Sequence, residues 1–252
     1  MTTLLLLVAC APDVDLNLNP PANHVDLGLG YERAEAARDA VIRGAPGEVL
    51  DHLRTLWVEA NQIYPDDDDQ AAAQRELVSA VETGLHSSNF AGLAQGVAAT
   101  GAACGGCHAD AGAKLDRGSA TPPEDGSMRR HYWGIDRIWY GLVAADTGAV
   151  QEGFTVIAKT RLVPDRPEDP AILTKARHLE VQVNQLAATV ASEGSSDAAR
   201  VQAYGQLLET CSTCHAWAGG GPPKWVGEPG AAQPDAAQPE AGDPDAAGSE
   251  GE

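Results

Sequence analysis

Two five-residue stretches, "CGGCH" from Cys104 to His108 and "CSTCH" from Cys211 to His215, take four of the chain's five cysteines. Two thiols two residues apart, with an imidazole directly after the second, need a backbone on which all three groups can converge. A turn of α-helix supplies it, because positions i, i+3 and i+4 share one face. A chain that repeats this pattern is expected to close two helices on the same chemical arrangement.

The rest of the sequence agrees with a helical frame. Its 252 residues are 43% hydrophobic, enough for one large core or two modest ones. Ala, Leu and Val dominate that content while β-branched alternation is scarce, so the expected class is all-α. An internal duplication is readable. Tyr31 to Val49 aligns with Tyr132 to Val150 at an offset of 101, whereas the motifs are offset by 107. The six extra residues fit the middle loop of the second copy, where Val163 to Pro170 stands against the shorter Tyr64 to Gln70. Each copy divides into four amphipathic segments, about 30–43, 47–63, 70–85 and 88–108 in the first, and 128–144, 149–162, 170–190 and 196–215 in the second. In the second copy Tyr132, Ile135, Trp139 and Leu142 form one stripe, and Val150, Phe154 and Ile157 another. Leu173, Ala176, Leu179, Val183, Leu186 and Val190 make a third. Short connections turn successive helices antiparallel, predicting two tandem up-down-up-down four-helix bundles over 27–118 and 119–218.

On the last helix Val201, Tyr204, Leu208, Cys211 and His215 continue one inward heptad stripe, so the motif points into the bundle. CxxCH is the attachment signature of c-type haem: the thiols form thioethers to the porphyrin and the histidine reaches the iron. The candidate cofactor-binding residues are thus Cys104, Cys107, Cys211 and Cys214, with His108 and His215 as metal ligands and two covalent haems as the cofactor. Three other readings compete. A four-cysteine zinc site usually draws its pairs from knuckles about 15–20 residues apart. A thioredoxin-type redox pair wants a βαβ setting. Two disulfides would have to close within a helix, where the geometry is poor.

A four-helix bundle with CxxCH at the end of its last helix resembles the class II c-type cytochromes, the cytochrome c prime family, here present twice between Leu27 and about Ala218. In that family the distal position comes from the first helix. The resemblance therefore implies His131, with Met128 one turn earlier, as distal candidates in copy two, against Gly30 and Leu27 in copy one. A lone helical histidine is as readily a surface or capping residue. The family also carries a basic residue four positions after the haem histidine, where this chain has Gly112 and Gly219, with Lys114 the nearest substitute. His24 is not expected to ligate, His52, His86 and His178 read as exposed helix histidines, and Asp66 to Asp69 as a solvated acidic loop.

The ends read differently. "MTTLLLLVAC" resembles a lipoprotein-type signal over 1–10 with Cys10 as the acylated residue, and 11–26 as a polar tether. Residues 219–252 hold one lysine and seven acids amid Pro, Gly and Ala, and are expected to be a disordered acidic tail. A formal charge of −19 argues against nucleic acid and favours redox proteins with a basic docking surface. The expected location is the periplasmic side of a bacterial membrane, with membrane contact only through Cys10. The sequence favours an electron carrier whose two bundles are able to pair with each other. The alternative is a sensor binding nitric oxide or carbon monoxide at an open first haem. A di-haem peroxidase ranks behind both, since no distal acid–base group is visible.

Overall fold

The chain is described by a computed structural model over residues 27–63, 65, 67–113, 115, 121–124, 128–163, 170–192 and 194–218. Cys10, His24, Lys114 and Gly219 lie outside the described residues, as do the expected signal, tether and tail. The described residues form eight helices and no strand: α1 (Leu27–Arg43), α2 (Pro46–Asn61), α3 (Asp68–Leu85), α4 (Phe90–Asp110), α5 (Met128–Val143), α6 (Thr147–Lys159), α7 (Pro170–Val190) and α8 (Asp197–Ala218).

Local chemistry sets the helix ends, and it repeats. Asn89 caps α4 by accepting from the Gly92 amide, and Ser196, 107 positions later, caps α8 by accepting from the Ala199 amide. At the end of α1 the Gly44 amide donates to the Val41 carbonyl and the Ala45 amide to Ala40. At the end of α5, 101 positions later, Ala145 donates to Leu142 and Asp146 to Gly141. Both turns place a residue in the left-handed region, Gly44 at φ 72° and Ala145 at φ 53°. The end chemistry thus recurs at the offsets of 107 and 101. The added length of the second half begins in the connection from α6 to α7, 160–169 against 62–67.

Successive helices in each half pack side by side, tightest at α3 on α4 and α5 on α6. Both tight crossings are backbone against backbone. A Cβ on Gly96 would overlap the Gly84 backbone, and one on Gly153 would come within 2.6 Å of the Gly134 carbonyl. The two halves interlock. α4 packs on α8 and on α5, while α8 packs on α1. Gln95 donates to the Val201 carbonyl, while Gly106 shares a cavity wall with Asp197. α4 and α8 therefore run antiparallel and carry their motifs to opposite ends.

The expected stripes of α6 hold, since Val150, Phe154 and Ile157 are all buried. Two details differ. Tyr132 is 40% exposed, although its hydroxyl accepts from the buried Arg38 guanidinium at 3.5 Å. Among the residues of α7 whose burial is described, full burial falls in the C-terminal half, at Val183, Ala187 and Val190. The centre of the molecule holds a charge. Arg38 is 1% exposed, donates to Asp39 and Asp136, and lies over the Trp139 ring at 5.6 Å from its centroid. Trp139 in turn stacks on Tyr204 of α8.

Candidate functional site

Each motif occupies the last turns of a central helix. Cys104, Cys107 and His108 close α4; Cys211, Cys214 and His215 close α8. All four cysteines are free thiols, with Cys211 buried and the other three half-buried. Burial pushes Cys104 and Cys211 up to about 12, with a smaller contribution from the neighbouring thiols Cys107 and Cys214. Thiols held protonated in this way are unlike the low-pKa thiolate of a redox pair. Among the described residues no three His, Cys, Asp or Glu side chains gather into a metal-ion cluster, and the two pairs end antiparallel helices. The four-cysteine zinc site is not assembled.

The histidines are held in the same way. Nδ1 of His108 lies 2.7 Å from the Val143 carbonyl, and Nδ1 of His215 lies 3.0 Å from the Ile42 carbonyl. A carbonyl oxygen can only accept, so Nδ1 carries a proton, and in the neutral imidazole the lone pair then lies on Nε2. Helix termini explain why those carbonyls are free. The turns at Gly44 and Ala145 satisfy the carbonyls of residues 40 and 41 and of 141 and 142. The next carbonyls in each helix, Ile42 and Val143, take the imidazole. A ligating histidine commonly donates its other ring nitrogen to a backbone carbonyl, which fixes its tautomer and orientation. The donor set on each terminal helical turn, one imidazole and two uncrosslinked thiols, therefore fits a covalently held haem whose iron would be met by Nε2.

Close packing brings each motif to its carbonyl, and the small residue changes sides between the halves. A Cβ on Gly105 would overlap the Leu142 carbonyl, so the first motif needs glycine there and its partner turn has Ala145. At the equivalent contact the motif has Ser212 and the partner turn has Gly44, whose added Cβ would sit 3.8–3.9 Å from Ser212.

Of the distal candidates, His131 is 5% exposed, and its Nε2 is buried with no hydrogen-bond partner. Burial drives its pKa down to about 4, with His215 close enough to add to the depression. Met128 is 46% exposed. Gly30, the counterpart of His131, is half-buried and offers no donor atom. His86 and His178 are exposed as expected, whereas His52 is half-buried and its pKa is lowered by burial. Sequence reasoning missed the two carbonyls and the central Arg38. The only hint of Arg38 was a charge aligned, at offset 101, with the core position Trp139.

No protein-family model matches the chain, and no curated protein or solved structure matches it either.

Proposed function

We propose that the protein is a di-haem c-type cytochrome that carries single electrons in the bacterial cell envelope. The observation behind this reading is the matched pair of hydrogen bonds from Nδ1 of His108 and His215 to backbone carbonyls. Each leaves an Nε2 lone pair next to two uncrosslinked cysteines, the donor set of a covalently attached haem. Cys104, Cys107 and His108 would hold one group, Cys211, Cys214 and His215 the other. When bound, haem iron would supply a one-electron couple, and the chain's own residues would set the burial, ligation and charge around it. In this reading the eight helices are two up-down-up-down units of the class II cytochrome kind, paired with each other.

His131 would be the second protein ligand of the His215 site, since a buried and unpartnered Nε2 near His215 is otherwise an uncompensated cost. Gly30 leaves the first site open, and this favours a second reading in which that site also admits a small gas molecule. The acidic charge suits redox partners with basic docking surfaces. No described helix is long and apolar enough to cross a membrane, and acylated Cys10 would be the anchor. Partition of the protein into detergent is the measurement for that.

Intact mass after denaturation should exceed the polypeptide by two haem masses, and Cys211→Ser with Cys214→Ser should remove one of them. A mass equal to the bare polypeptide would overturn the reading. The reduced protein should take up about one equivalent of carbon monoxide, and His131→Ala should raise this to about two. Two equivalents in the unmodified protein would refute the asymmetry.

A further inference from the structure

The carbonyl that seats each motif histidine belongs to the other half of the chain. His215, in the second half, donates to Ile42 at the end of α1, 173 residues earlier. His108, in the first half, donates to Val143 at the end of α5, 35 residues later. Both acceptors lie at helix C-termini, where the partial negative charge of the helix collects. A histidine that donates there gains electron density at its far nitrogen and is a stronger donor to a metal. Arg38 of α1 joins Asp136 of α5 at 3.0 Å, so the two seating helices are themselves tied together across the molecule.

We propose that orientation and donor strength of each motif histidine are set by the opposite half, with Gly44 and Ala145 as the positioning residues, because their left-handed turns leave the Ile42 and Val143 carbonyls free. This rests on the haem reading. The site in one half is then incomplete without the other, and a change in one terminal turn is felt at the remote motif.

The test uses the haem-loaded full chain, in two backgrounds that each retain one haem. Cys211→Ser with Cys214→Ser leaves the His108 site; Cys104→Ser with Cys107→Ser leaves the His215 site. A β-branched residue is strongly disfavoured in the left-handed region, so Gly44→Val and Ala145→Val should each displace one terminal carbonyl. In the background that keeps only the His215 site, which also carries His131→Ala so that a single protein ligand remains, Gly44→Val should lower the iron–histidine stretching frequency and raise the midpoint potential, and Ala145→Val should leave both unmoved. With only the His108 site present, the pattern should reverse. Ala145→Gly keeps the turn and should not shift either quantity. Where Gly44→Val does not fold, Gly44→Leu, whose Cβ is unbranched, should move the same quantities in the same direction and by less, while Gly44→Ala keeps the turn as Ala145 does and should move neither.

A response confined to the motif of the mutated half, or equal at both sites, would overturn the proposal while leaving the haem reading intact. Absence of haem from the parent protein would overturn the haem reading itself.

Discussion

Arg38 is a guanidinium in the middle of a helical protein, 1% exposed and shared between Asp39 and Asp136. Removing one partner of a buried charge network leaves the others uncompensated, which costs about 3–5 kcal/mol. Because Asp136 is 42% exposed and water can take its place, the lower end applies. Arg38→Met should therefore destabilise the protein by about 3 kcal/mol in urea unfolding, and a loss under about 1 kcal/mol would show the network to be idle. The same scale explains what the sequence concealed. Cys104, Cys107 and His108 are legible because their geometry is local, fixed by one helical turn. The carbonyls of Ile42 and Val143 are not, since every residue has one and only tertiary packing selects which is free. His131 falls between these cases: its position on the inward edge of α5 was readable, and its burial without a partner was not.

At the level of elements, helix order and most boundaries followed from apolar spacing and cap chemistry. α4 and α8 were harder. Each is packed on several sides, so Leu207 is as buried as Tyr204 and Leu208, and a single-stripe reading captures only part of the contact. The crossings depend on the smallest residue. Gly96→Ala gains about 1 kcal/mol of helix propensity but forces a methyl into the Gly84 backbone, where no flexible side chain can yield. Overpacking costs about 1–3 kcal/mol and wins. The variant should lower the melting temperature, by about 2–4 °C for each net kcal/mol lost in a body of this size. Unchanged or raised stability would mean that α3 and α4 can separate freely.

For the whole molecule, the interlocking of α4 with α5 and α8, and of α8 with α1, makes separate melting of the halves implausible on physical grounds. Thermal unfolding should give one transition, with calorimetric and van't Hoff enthalpies in agreement. Two resolved transitions would show two independent units joined in series. The crossed seating of the histidines also has a consequence for the order in which the protein is made. Synthesis runs from the N-terminus at about 5–20 residues per second. Ile42 has left the ribosome long before His215, so the second motif emerges onto a finished support. His108 emerges before Val143 and must wait for it. Whatever acts on the nascent chain meets the first motif while its imidazole is still free to turn, and the second when its place is already prepared.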